Sequence, residues 1–440
     1  MPPARPQPPR PSPAGMKAMQ ALQADRLADA AAALEDLRRL EPGEGRWPRM
    51  LVMVLTEMNR HGDAAQLCRA LIARDGADPV LHLILGDLER AIGNSDAARH
   101  AYRGALDIHP GQGRAWWSLA FYHGEQVETE VRAAFGRPGA SPLDQALLHF
   151  ALGEAAHAQA EHEVAFGHFG TGNDMLARIE PFDPRGFGQE IAALLSDMPQ
   201  LDESEASADR PAPIFLVGMP RSGSTLLERM LGAHSQVEAL GESRSMARLA
   251  GLHMQRGGAE SAVMSALGSD YLSLSAARRH GAEPFFIDKM HLNWRFVPVI
   301  LKAMPAARII DLRRGAMDCC WSNYRFPFQG GHPSSCDQRN IASFYRGYAR
   351  VMDEANTRAP GRVLRLDYED LVADADFCLR AICDWIGISF EPSMLDLGKA
   401  SGPTGTASSE QVRRPLNRKG IGVHEPYREW LEPMAAALRG

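Results

Sequence analysis

Apolar positions fall into two regimes along this chain. From about Met16 to Asp174 they recur at helical spacing in alanine-rich stretches, which predicts an all-α region. From Pro213 onward, short unbroken apolar runs alternate with helical patterns. Ile214–Val217, Phe285–Ile287, Ala307–Leu312 and Val363–Leu366 each read as a buried parallel strand. Helical spacing follows at Leu226, Leu227, Met230 and Leu231, through Ser322 after the third run, over Phe344–Glu354, and at Leu379, Ile382 and Trp385. Strands that alternate with helices predict a parallel sheet covered on both faces. Between the two regimes, Pro181, Pro184 and Gly186 interrupt the pattern, Ile191–Met198 predicts a short helix, and Asp202–Arg210 is acidic and rich in small residues. The expected divisions are a disordered proline-rich tail over residues 1–15, helical repeats over 16–175, a linker over 176–210 and an α/β domain over 211–440.

The helical part carries an internal period. Asp29-Ala30-Ala31, Asp63-Ala64-Ala65 and Asp96-Ala97-Ala98 lie 34 and 33 residues apart, the tetratricopeptide period of about 34 residues. Gly62 and Gly93 are expected just before the second helix of a unit, and Pro42, Pro79 and Pro110 at unit ends. Leu85, Gly86, Tyr102 and Ala105 fit the repeat consensus; Trp116–Phe121 opens a further unit, and a looser one spans His149–Phe169. A single helix pair cannot bury its own apolar face, so such units stack into a solenoid. Repeats of this kind serve peptide or protein binding, or homodimer formation. His149, His157, His162 and His168 lack the HExxH spacing and are expected as surface or groove residues, not metal ligands.

Composition narrows the classes. Hydrophobic residues make up 45% and charged residues 23%, as in a globular chain. The net charge of -6 disfavours a nucleic-acid binder. Six cysteines form no CxxC pair, hence neither a zinc pattern nor a dense disulfide framework, and a reducing, cytoplasmic setting is expected. No apolar run is long enough to span a bilayer, and the proline-rich start lacks the apolar segment of a secretory signal.

The candidate chemistry sits after the first strand, where Gly218–Thr225 reads GMPRSGST. A glycine-rich turn between strand and helix aims backbone N–H groups and the positive helix end at an anion. The letters nearly match GxxxxGK[ST], but Ser224 stands where the lysine belongs and the positive charge comes earlier, at Arg221. The loop should still bind phosphate, without the lysine that reaches a γ-phosphate. Gly241-Glu242, Asp288-Lys289-Met290-His291 and Arg313-Arg314-Gly315 follow at strand or helix ends, and Tyr368-Glu369-Asp370-Leu371 follows the fourth strand.

On these motifs the chain from Pro213 to the C-terminus resembles the sulfotransferase family. PRSGSTLL with its downstream GE pair looks most like the tyrosylprotein sulfotransferases and the bacterial proteins that join tetratricopeptide repeats to such a domain. The resemblance implies an all-α tetratricopeptide-repeat solenoid followed by an α/β, P-loop-like parallel-sheet domain. It implies 3′-phosphoadenosine 5′-phosphosulfate (PAPS) as donor, adenosine 3′,5′-bisphosphate (PAP) as product and no metal. Arg221, Ser222, Gly223, Ser224 and Thr225 would hold the 5′-phosphosulfate. Arg314 and Ser322 match the pair that contacts the 3′-phosphate, and Tyr368 would lie near the nucleotide. Lys289 matches the catalytic lysine.

Glu242 is the favoured general base, as the tyrosylprotein type implies. Lys289-Met290-His291 also reproduces the K-x-H spacing of cytosolic members, where the histidine is the base, so His291 is the alternative. Thr406–Asn417 resembles S-x-x-Q-V-x-x-P, whose serine assists the leaving group; Ser408 fits best and Ser409 second. Arg418-Lys419-Gly420 resembles the RKG segment that closes over the 3′-phosphate, although the tryptophan that usually follows is replaced near His424. The implied reaction is in-line sulfuryl transfer to an acceptor hydroxyl on a peptide tyrosine, a saccharide, a lipid or a small molecule. Two rivals stand beside it: an ATP-dependent phosphotransferase with an atypical loop, and a non-catalytic repeat adaptor on a degenerate nucleotide fold.

Overall fold

The computed structural model of the protein describes residues 12–76, 78–137, 140–202, 209–254, 261–397 and 416–440. An all-helical region comes first. Its members are α1 and α2 (Pro13–Gln23, Leu27–Leu40), α3 and α4 (Arg46–Glu57, His61–Asp75), and α5 and α6 (Pro79–Ile92, Ser95–Ile108). Then come α7 (Gly113–His123), the short α8 (Glu128–Ala134), α9 and α10 (Pro142–Ala158, His162–Ile179) and α11 (Pro184–Asp197).

Four hairpins share one turn. The first helix of each ends in a left-handed residue: Asp25, Asn59, Gly93 and Ala160. The next amide then reaches back to the helix, Arg26 to the Ala21 carbonyl at 2.9 Å, Arg60 to Leu55 at 2.9 Å, Asn94 to Glu89 at 2.8 Å and Glu161 to Ala156 at 3.0 Å. These bonds satisfy carbonyls that a helix end leaves open. Two hairpins close tightly because a glycine faces a ring: a Cβ on Gly86 would stand 2.4 Å from Tyr102, and one on Gly153 would stand 2.5 Å from Phe169.

Two details differ from expectation. Pro79 does not close a unit; it opens α5 behind the Asp78 cap, as Pro142 opens α9 behind Ser141. The first helical turn has a spare N–H position, so proline costs nothing there. Gly62 lies inside α4, and the turn residue before it is Asn59.

The second region is an α/β domain. Its strands β1 (Ala212–Gly218), β2 (Val237–Ala239), β3 (Phe285–Asp288), β4 (Arg308–Arg313) and β5 (Val363–Asp367) are all parallel, in the order β2-β3-β1-β4-β5. Helix α12 (Ser224–Leu231) follows β1; α13 (Ser245–Met254) and α14 (Ser261–Ala276) follow β2; α15 (Val297–Ala303) follows β3. Helices α16 (Ala316–Tyr324) and α17 (Gln338–Arg358) link β4 to β5, and α18 (Tyr368–Ala373), α19 (Ala375–Ile386) and α20 (Glu432–Arg439) complete the domain. The chain runs from β1 to one side of the sheet, then crosses β1 to the other. Such a reversal leaves a crevice at the carboxyl ends of the strands. Ile214 and Leu216 pack with α12 and α19 on one face, while Phe215 and Val217 pack on the other with α14 through α17.

The segment expected as a linker is largely helical. α10 runs to Ile179, and α11 lays Phe187 against α17, its ring stacked on Phe344 at 4.9 Å. Gly347 makes room, since a Cβ there would meet Phe187 at 2.7 Å. The two regions also share one apolar core, which runs from Leu83 and Phe150 to Trp321 and Met434. Arg325 Nε donates to Glu154 at 2.8 Å, Asn173 to the Tyr324 carbonyl at 2.8 Å, and His157 meets the Tyr427 hydroxyl at 2.7 Å. No helix among the described residues is long and apolar enough to cross a membrane.

Candidate active site

The loop after β1 is shaped by its glycines and one strained arginine. A Cβ on Gly218 would stand 2.6 Å from the Leu312 carbonyl on β4, so only glycine passes there. Arg221 is left-handed at φ +66°, a costly state for a long side chain. Gly223 is left-handed at +101°, and a Cβ on it would strike the Tyr368 ring at 2.5 Å. The start of α12 then points its first N–H groups, with buried Ser224 and Thr225, into the turn. The buried Ser222 hydroxyl has no hydrogen-bond partner among the described residues.

Arg314 ties three segments together at this loop. It donates to the Arg221 carbonyl at 2.9 Å and to the Gly420 carbonyl, and its guanidinium lies over the Tyr368 ring at 5.7 Å. A Cβ on Gly420 would stand 2.6 Å from the Tyr368 hydroxyl. Loop, ring and Gly420 therefore form one packed edge. Ser322 sits half-buried on α16, the helix that begins just after Arg314. Arg418 and Lys419 are exposed beside Gly420. No motif marks what anchors this edge: buried Asp318 on α16 accepts from the Gly422 amide at 2.7 Å and the His424 amide at 3.1 Å. Burial alone would raise the Asp318 carboxyl, but these bonds and the His424 ring hold it below its usual range. Ser408 and Ser409 lie outside the described residues.

The second half of the site stands at the end of β3. Lys289 is buried, and its Nζ is 2.7 Å from Glu242 Oε1 and 3.8 Å from Glu228 Oε2. Burial would lower the Lys289 ammonium, but the two carboxylates raise it above its usual value. Glu242 is opposed by burial yet held below the usual carboxylate range by Lys289 and His291, so it is ionised at neutral pH. Burial lowers His291, which favours a neutral imidazole. Glu228, from α12, was missed in the sequence because it reads as an ordinary helix residue. Burial pushes its carboxyl up to about 7 against the pull of Lys289.

Arg221, Glu242 and His291 open onto one cavity of about 700 Å³. Burial brings Arg221 down to about 10, so it stays charged at neutral pH, with its guanidinium 5.4 Å from the Phe326 ring. The opposite wall belongs to the helical region: Glu57 of α3, Asp87 and Arg90 of α5, Arg114 and Trp117 of α7. Arg90 lies 4.1 Å over the Tyr122 ring, and Arg114 pairs with Asp87, which also accepts from Tyr102 at 2.9 Å. Among the described residues no group of three or more His, Cys, Asp or Glu is placed to hold a metal ion.

Residues 213–392 match the model of the sulfotransferase family. The C-terminal domain belongs to that family. The chain is also similar to a putative protein-tyrosine sulfotransferase of Caenorhabditis briggsae, 23% identical over 224 residues, with 47% of this chain and 79% of the relative covered. An uncharacterized protein of Aquifex aeolicus (strain VF5) is 24% identical over 432 residues, which is 92% of this chain. The chain spans 56% of that relative's length. Among solved structures, the sulfotransferase domain of the Synechococcus PCC 7002 olefin synthase is 19% identical, covers 52% of this chain and 90% of its own, and superposes with a TM-score of 0.39.

Proposed function

We propose that the protein transfers a sulfuryl group from PAPS to an acceptor hydroxyl by in-line displacement. The observation that carries this reading is the Lys289–Glu242 ion pair, whose carboxylate lines a cavity together with the lysine-free loop after β1. Loop N–H groups, Arg221 and the Ser222 hydroxyl suit a phosphosulfate. Arg314 and Tyr368 suit the 3′-phosphate and nucleotide side, with Arg418, Lys419 and Gly420 closing over it; a planar guanidinium grips phosphate oxygens in pairs.

Lys289 has two tasks that follow one another. Before reaction it neutralises Glu242. As charge grows on the leaving phosphate, the ammonium shifts toward that oxygen and Glu242 loses its counter-charge. The carboxylate becomes more basic as the acceptor proton is released. His291, neutral and on the same cavity, is the alternative base. The acceptor would enter between the phosphate loop and the helical wall, which we read as tetratricopeptide-type repeats that admit a peptide or protein hydroxyl.

The test is calorimetric binding of PAP against ADP with magnesium. PAP alone should bind, and Arg314→Ala should weaken it by roughly tenfold to a hundredfold, since a buried charge-assisted contact is lost. Preference for ADP would overturn the reading in favour of a phosphotransferase.

A further inference from the structure

The turns of the first hairpins repeat in space as well as in sequence. Asp25, Asn59 and Gly93 follow one another at steps of 34 residues, and all three are left-handed, with φ of 57°, 58° and 101°. Glycine is the least strained residue for this cap. The third turn uses it, while the first two carry side chains that can adopt the state at a cost. Neither side chain serves its own turn. Each crosses to the sulfotransferase domain.

Asn59 Nδ2 donates to the Leu240 carbonyl at 2.7 Å. Asp25 accepts from the Ser245 hydroxyl and pairs with Arg248. Leu240 lies two residues before Glu242 and Ser245 three after it. On its other side the same loop is held by β3, where the Leu240 amide donates to Ile287 at 3.0 Å and the Lys289 amide donates to Gly241 at 3.0 Å, and by Arg278, which donates to the Glu242 carbonyl at 3.4 Å. Gly241, itself left-handed at +70°, lies so close to Asn59 that a Cβ would stand 3.3 Å from its amide nitrogen. The loop therefore has a strand on one flank and two repeat turns on the other.

We infer that Asp25 and Asn59 are positioning residues for Glu242, so that the helical region is a working part of the active site. This rests on the reading of Glu242 as the base. A shift of about 1 Å in a reacting group can cost up to a hundredfold in rate, and two pins that bracket the carboxylate prevent that shift.

The test uses Asn59→Gly and Asp25→Gly in the full chain. Glycine keeps each left-handed turn and removes only the reaching side chain. Gly93→Asn, at the third turn, is the control. Hydrogen exchange over residues 240–248 should speed up about tenfold in the double variant, with the thermal midpoint and PAP affinity near wild type. PAPS turnover with 2-naphthol as acceptor should lose roughly tenfold to a hundredfold in kcat at unchanged KM for PAPS. Asn59→Asp, the same shape with no donor for Leu240, should match Asn59→Gly, and Asp25→Asn should restore part of the loss. Wild-type exchange rates over 240–248 in the double variant would overturn the pinning, and faster exchange with unchanged kcat would overturn the positioning role. Exchange needs no donor. Failure of wild type to bind PAP would therefore register separately, as failure of the sulfotransfer reading.

Discussion

The two ends of the cleft are built by different means. On the proposed reading the donor end comes from one domain: the loop after β1, Arg314 after β4, Tyr368 after β5 and the Gly420 edge held by Asp318. Each is a short motif at a strand or helix end. The end proposed for the acceptor is shared. Glu242 and His291 face a wall of α3, α5 and α7, and the loop that carries Glu242 touches two repeat turns. A phosphate is the same in every donor, so a local motif suffices to hold it. An acceptor differs from enzyme to enzyme, and its wall can be drawn from a second region without disturbing the cradle.

Substitutions can break that contrast. The largest effect should come where the ends meet. Lys289→Ala should reduce turnover by roughly a thousandfold, with PAP affinity changed much less, and single-turnover kinetics would separate the two. Were PAP affinity to fall as far as the rate, Lys289 would belong to the donor end alone. Next, Glu154→Ala should cost about 2–3 kcal/mol, because it leaves half-buried Arg325 without its carboxylate at the contact between regions. Denaturant unfolding should remain one transition for both regions. Two separated transitions would show that the shared core does not couple them.

The smallest effect concerns Glu228. Its folded carboxyl sits at about 7, above the ordinary 4.5, so the folded state favours the protonated form. The stabilisation it gives is complete below pH 4.5 and is lost as pH rises through about 7. Glu228→Gln should therefore gain on wild type across that window, by on the order of 1 kcal/mol. Thermal midpoints at pH 5, 6 and 8 would show it; a constant difference would mean that Glu228 does not titrate there.

The same contrast explains what could be read from the chain. Four of the five strands, the glycine turn between β1 and α12 and the step of the helical hairpins were legible because each is a local pattern. β2 was not, being three residues long with Glu238 at its centre. The short helix expected over Ile191–Met198 is the second half of α11, which begins earlier because Pro184 stands at its first position and does not break it. Structure brings Arg221, Glu242 and His291 onto one cavity and places Lys289 beside Glu242. It also gathers Arg314, Tyr368 and Gly420 at one edge. The reach of Asn59 to Leu240 spans 181 residues and leaves no mark on the sequence around either. Asp318 and Glu228 look like ordinary helix residues until their neighbours are known.

One contact also sets a timetable. Phe166 of α10 stacks between Trp321 and Trp430, and His157 waits for the hydroxyl of Tyr427. A ribosome adds about 5–20 residues per second. The aromatic flank of the helical region therefore stands bare to solvent, or to whichever helper shields it, for on the order of ten seconds to a minute before its cover is synthesised. The region made first is finished by the segment made long after it.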